Sequence, residues 1–205
     1  MPYYKQINLL FIHIPKTGGS NIENNIKLKY KQSLFSGRFN NLLPFPYNKI
    51  SLQHQFYLTL FKYRQLLKIN FSNIKILTVV RNPYDRIISD LLWYKLIKPN
   101  DSSEKVLHVL KTIYFNPKNN FDNHRQPQYK FICDKDNKLI PGIKIFKTET
   151  LNIQNKELNK FLGFSINIKK QNSNKNYSKY LNKRSIYIIN SVYKKDFELF
   201  NYKLR

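Results

Sequence analysis

Leu9-Leu10-Phe11-Ile12-His13-Ile14-Pro15-Lys16-Thr17-Gly18-Gly19-Ser20 is the stretch whose reading decides the fold. An apolar run over residues 8–14, interrupted by His13 and ended by Pro15, suits a strand covered on both faces. Two glycines then close a tight turn. Ser20 offers an N-cap and Glu23 stands three residues on at capping-box spacing, which predicts a helix over residues 20–31. The same unit of strand, tight loop and helix recurs. Residues 74–80 read as a second buried strand, Arg81-Asn82-Pro83 turns the chain, and Pro83 at the first helical position opens a helix over residues 84–97.

Working outward, residues 33–51, with Gly37, Pro44 and Pro46, read as an irregular connection, and residues 55–69 as a helix. Further helices are expected over 104–113, 127–133, 154–162 (stopped by Gly163) and 183–200. Residues 143–146 are short and β-branched, 134–138 resemble a turn, and 116–123 and the polar stretch 165–178 read as loops. Strands alternating with helices imply an α/β fold, a P-loop-like parallel sheet with helices on both faces. No linker demands a second unit, so residues 1–205 are expected to form one domain.

The 205 residues carry 36 Lys+Arg against 12 Asp+Glu, a formal charge of +24. With 41% apolar residues and only five glycines, the chain is no disordered tail. Lys, Asn, Ile and Tyr, all written by AT-rich codons, dominate it, so nucleotide bias accounts for part of the lysine; the remainder favours anionic partners such as phosphates, acidic glycans or nucleic acid. The opening apolar run is far shorter than the roughly 20 residues that span a bilayer, and no small-residue cleavage site follows it. A cytoplasmic or otherwise soluble protein without a membrane span is expected. The single Cys133 cannot form an internal disulfide and has no metal-ligand companions in the sequence, so neither a disulfide scaffold nor a zinc site is expected.

Glycines and hydroxyls placed where a strand hands over to a helix let backbone N–H groups converge on one anion, and the helix dipole adds favourable potential. A loop that grips ATP needs its lysine after the glycines. Here Lys16 precedes them and no upstream glycine exists. That order predicts a single phosphate in the turn, with an ammonium group beside a bond to be broken on its strand side. A second anion site is expected at the end of the second strand, where Arg81 offers a forked contact and Ser89 a hydroxyl. Two such sites on adjacent strand ends fit a nucleotide phosphorylated at both 5′ and 3′ positions.

His13-Ile14-Pro15-Lys16-Thr17-Gly18-Gly19-Ser20 and Val80-Arg81-Asn82-Pro83-Tyr84-Asp85-Arg86-Ile87-Ile88-Ser89 together resemble the two cofactor motifs of sulfotransferases that use 3′-phosphoadenosine 5′-phosphosulfate, in particular the carbohydrate-modifying branch. The resemblance continues through His124-Arg125-Gln126-Pro127-Gln128, Lys147-Thr148-Glu149-Thr150-Leu151 and the ending over residues 193–202. It implies the sulfotransferase fold, with Lys16, Thr17, Gly18, Gly19 and Ser20 on the 5′-phosphosulfate and Arg81 and Ser89 on the 3′-phosphate. By the same resemblance Tyr177 and Ser178 belong to a late segment brought over the cofactor. A hydroxyl-bearing acceptor, a glycan above all, and no metal complete the picture. Lys16 would stabilise the charge that grows on the departing bridging oxygen.

A hydroxyl acceptor must lose a proton, and histidine is the usual base near neutral pH. His13 lies in the strand as a core or supporting residue, and His108 has helical spacing and no motif, which leaves His54 and His124. His54 is the leading choice because the resemblance places a base there; Glu23 is the remaining candidate. His124, Arg125 and Gln128 are expected to line the acceptor groove or to start a structural helix, and Trp93 to lie in the core. Two other functions compete: a kinase with a variant phosphate loop, and a basic polyanion-binding module without catalysis. No dedicated nucleic-acid-reading motif is present.

Overall fold

The computed structural model describes residues 2–31, 42–119, 121–168 and 177–205. Residues 169–176 of the loop expected over 165–178 and residues 33–41 of the connection expected over 33–51 therefore lie outside the described residues. The sheet has four strands in the order β1 (Tyr3–Tyr4), β2 (Leu9–Ile12), β3 (Lys75–Val80) and β4 (Ile143–Lys147). β2 and β3 run parallel with Ile12 opposite Thr78, and β3 and β4 run parallel with Val80 opposite Lys147. β1 is antiparallel to β2, an edge that the alternation of strands and helices did not announce.

Both faces of the sheet are covered, as expected from its continuous apolar strands. Side chains alternate along a strand, so Leu10, Ile12, Ile76 and Val80 enter one core while Leu9, Phe11, Leu77 and Val79 enter another. The second core is closed by α1 (Gly19–Lys27), through Ile22 and Ile26, and by a later helix through Leu158 and Leu162. The first is closed by α2 (Tyr57–Lys62) through Leu60, together with Leu67 and Ile69. The helix expected over 55–69 is shorter, Tyr57–Lys62, with Tyr63 at φ −101 as its C-cap; turns follow, with Lys68 left-handed at φ 53, and Leu67 and Ile69 enter that core.

From β3 the chain enters α3 (Pro83–Trp93), whose N-cap Asn82 accepts from Tyr84 N, and then α4 (Ser103–Val109), which runs on through a π-turn at Leu110–Tyr114. α5 (Tyr129–Ile132) precedes β4, and α6 (Asn155–Leu162) follows it, stopped by Gly163 at φ 83. The final helix divides at Tyr193 into α7 (Lys183–Val192) and α8 (Lys194–Leu199). Tyr193 is buried there, and its hydroxyl donates to the Arg125 carbonyl at 2.7 Å. The half-buried edge strand β4 carries Lys144 and Lys147, charges that discourage further pairing there.

Candidate active site

The C-terminal ends of β2 and β3 lie side by side, and the two motifs leave from them. In the turn after β2, Lys16 and Gly18 take left-handed backbone angles of φ 64 and 80. Four successive carbonyls of that turn accept hydrogen bonds from the protein. Thr17 Oγ1 donates to Ile14 O (2.8 Å), Arg86 Nε to Pro15 O (3.0 Å), Arg81 Nη1 to Lys16 O (3.2 Å) and Thr148 Oγ1 to Thr17 O (2.6 Å). The helix behind the turn begins at Gly19, with Gly18 as an N-cap that has no side chain to offer. Ser20 and Glu23 thus form no capping box: Ser20 is exposed one residue inside the helix, and Glu23 bonds the Nδ1 of His13. No side chain caps the start of α1, where Asn21 N donates to Gly18 O at 3.2 Å, and an uncapped helix start of this kind suits an anionic group. Gly19 is required by contact, because a Cβ there would meet Phe11 Cζ at 2.9 Å.

Arg81 is fixed at its main chain by Gln128. The Gln128 Oε1 accepts from Arg81 N at 2.9 Å, and its Nε2 donates to Arg81 O at 2.8 Å. Gln128 is fully buried, its own N–H donates to Asp196 and it stands at the N-cap of α5, so of its two expected roles the start of a structural helix fits and groove lining does not; it also braces the second strand end. The guanidinium of Arg81 lies 5.5 Å from the ring of Tyr177, while Ser178 is exposed beside it in the chain. Asp85, Ser89 and Trp93 follow one another at four-residue spacing on α3, forming its outward stripe next to buried Tyr84, Ile87, Ile88 and Leu91. Burial pushes the Asp85 carboxyl up, and nearby Arg81 and Arg205 pull it back.

Three buried imidazoles form a row, each held at Nδ1 by a carboxylate: His13 by Glu23, His54 by Asp122 (2.7 Å) and His124 by Asp90 (2.7 Å). The His54 ring packs edge-to-face on His13 (centroids 5.7 Å) and on His124 (4.7 Å). Asp122 also accepts from Ser51 N at 2.6 Å and Ser51 Oγ at 2.7 Å. Burial alone would raise Asp122, but the bonds from His54 and Ser51 outweigh it and hold the carboxyl below its usual value. An ionised carboxylate can only accept, so the proton of neutral His54 sits on Nδ1 and Nε2 keeps its lone pair.

Burial lowers the His54 pKa from 6.5 to about 4, against the opposing pull of Asp122, with His124 and His13 pushing the same way as burial. A folded pKa below the unfolded one means that the unfolded chain takes up the proton first as pH falls. His54 therefore contributes nothing to the pH dependence above pH 6.5 and weakens the fold progressively from 6.5 down to about 4. The expected loss is roughly 3 kcal/mol of unfolding free energy across that window, measured by urea titration at each pH and absent in His54→Gln.

Of the expected acceptor residues, His124 lies in this row, while Arg125 donates to the carbonyls of Asn116 and Pro117. Trp93, expected in the core, is 52% exposed and stacks on His124 (5.2 Å, 18°). Three contributors escaped the sequence reading. Asp122 sits in a turn with Asn123, both at positive φ, which Asp and Asn tolerate. Arg86, inside the second motif, is buried and donates to Pro15, Gln126 and His124 carbonyls. Glu149 accepts from Asn82 N at 2.7 Å. His54, Asp122 and His124 are also a group of metal-ligand type, with donor atoms within 4.8 Å of one another. Their Nδ1 atoms face carboxylates, His54 on Asp122 and His124 on Asp90, an arrangement that proton-accepting and metal-ligating histidines share.

Residues 3–203 match a family model described as "Sulfotransferase family". No curated protein and no solved structure gives a match. Among the described residues no helix is long and apolar enough to cross a membrane.

Proposed function

Since the chain belongs to the sulfotransferase family, we propose that it transfers a sulfuryl group from 3′-phosphoadenosine 5′-phosphosulfate to a hydroxyl of a carbohydrate acceptor. The observation that carries this reading is the junction of the two motifs: Arg81 at the end of β3 donates to the carbonyl of Lys16 at the end of β2. One molecule with an anionic group at each end can therefore be held by both. The turn over Lys16, Thr17, Gly18, Gly19 and Ser20 takes the 5′ end, while Arg81 and Ser89, with Tyr177 and Ser178 beside them, take the 3′ end.

The donor supplies an activated sulfuryl group and a phosphate leaving group. His54 Nε2 accepts the proton of the acceptor hydroxyl as that oxygen attacks sulfur. Asp122 holds the imidazole in the tautomer that permits this. Because its pKa lies near 4, His54 is in the basic form throughout the neutral range. The Lys16 ammonium stabilises negative charge as the bond to the bridging oxygen breaks. The carbohydrate acceptor is supported by the resemblance of both motifs to the glycan-modifying branch.

Calorimetry with 3′-phosphoadenosine 5′-phosphate tests the donor reading. Micromolar binding is expected, weakened roughly 10- to 100-fold in Arg81→Ala through loss of charged hydrogen bonds. No heat at tens of micromolar ligand, or turnover of magnesium-ATP instead, overturns it.

A further inference from the structure

Lys16 is asked to act at one bond, yet a lysine side chain is long and carries large rotamer entropy. Something must hold its ammonium group. Its Nζ lies 5.2 Å from the ring centroid of Trp93, within the range of a cation–π contact, and tryptophan is the strongest ring for that purpose. The indole itself is not free to wander. It stacks on His124 at 18°, Tyr94 packs edge-on against it at 4.6 Å, and His124 is fixed by Asp90, whose second oxygen accepts from Tyr114. Trp93 belongs to none of the three apolar cores found among the described residues, so packing into a core does not set its attitude.

We propose that Trp93 is the positioning residue for Lys16: its indole carries the ammonium group, and the Asp90–His124 pair sets the attitude of the indole. Trp93 also joins the two halves of the site, because the imidazole it stacks on packs in turn against His54. The spacing between the group that meets the leaving oxygen and the group that meets the acceptor proton then follows from one continuous row of rings. The proposal rests on the role given to Lys16 under the proposed function.

A double-mutant cycle on affinity for 3′-phosphoadenosine 5′-phosphosulfate, measured without acceptor, tests it. Trp93→Ala should weaken donor binding about 2- to 30-fold in the wild-type background, the range of a cation–π contact. In the Lys16→Met background the same change should have no effect. Trp93→Phe, which keeps an aromatic face, should recover most of the loss. Trp93 is the sole tryptophan, so emission reads the contact directly: Lys16→Met should shift it, and Lys156→Met, an exposed lysine on α6, should not. An equal loss from Trp93→Ala in both backgrounds, no loss in wild type, or emission indifferent to Lys16→Met overturns the proposal while leaving the donor assignment standing. Donor affinity unchanged by Lys16→Met itself overturns the role of Lys16 beneath it.

Discussion

His54→Ala is expected to lower kcat by about 10²- to 10⁴-fold, the range over which a positioned base contributes, while affinity for 3′-phosphoadenosine 5′-phosphate stays as in wild type. The split follows from geometry. His54 stands on the short turn Leu52–His54, not at either strand end proposed to hold the nucleotide. Asp122→Asn keeps the shape of the partner but removes the charge that fixes the imidazole tautomer, so its kcat should fall between the two proteins. With a His54 pKa near 4, wild-type kcat/KM should be level across the neutral range and decline only as pH falls toward 4. Release of 3′-phosphoadenosine 5′-phosphate in the presence of an acceptor glycan reads all three. An Ala variant retaining a tenth or more of the rate would remove His54 from the mechanism and turn attention to His124.

Arg86→Met is expected to cost about 3–5 kcal/mol of stability, as when one partner of a buried charged network is removed. Arg86 is 2% exposed and donates to three carbonyls: Pro15 in the donor turn, and His124 and Gln126 in the segment behind the base. Removing it strands those oxygens and takes a positive charge from the neighbourhood of buried Asp196, whose carboxyl burial already pushes upward. Domains of this kind have only about 5–15 kcal/mol in all, so the urea midpoint should fall steeply. Arg86→Lys should restore a minor part, because an ammonium group cannot serve three fixed directions from a planar fork. A loss below about 1 kcal/mol would mean that the three carbonyls find other partners.

The β-loop-α units were legible in the sequence because their signals are local: apolar runs fix β2 and β3, and Pro83 and Gly163 mark a helix start and a helix stop. What failed was settled at long range. Ser20 and Glu23 have capping-box spacing, yet Glu23 is drawn to His13 across ten residues of chain, and the box does not form. Gln128 took the helix start over the groove, and Trp93 the surface over the expected interior, because burial on a helix depends on what packs against each face. Asp122 meets His54 across 68 positions, a pairing no spacing rule announces. One signal was available: with 12 acidic residues against 36 basic ones, each carboxylate is informative, and Glu23, Asp90, Asp122, Glu149 and Asp196 all brace the site.

Gly19 seats α1 directly on Phe11, hydrocarbon against backbone, whereas the far wall of the site is assembled from carboxylates and imidazoles. The half proposed for the nucleotide thereby tolerates little change, since a Cβ at that seat would press on the rings of Phe11 and His13 beneath it. Diversification of such a scaffold toward new acceptors must run through the polar wall, where exchanging a single ring or acid alters the cavity without disturbing the cradle opposite.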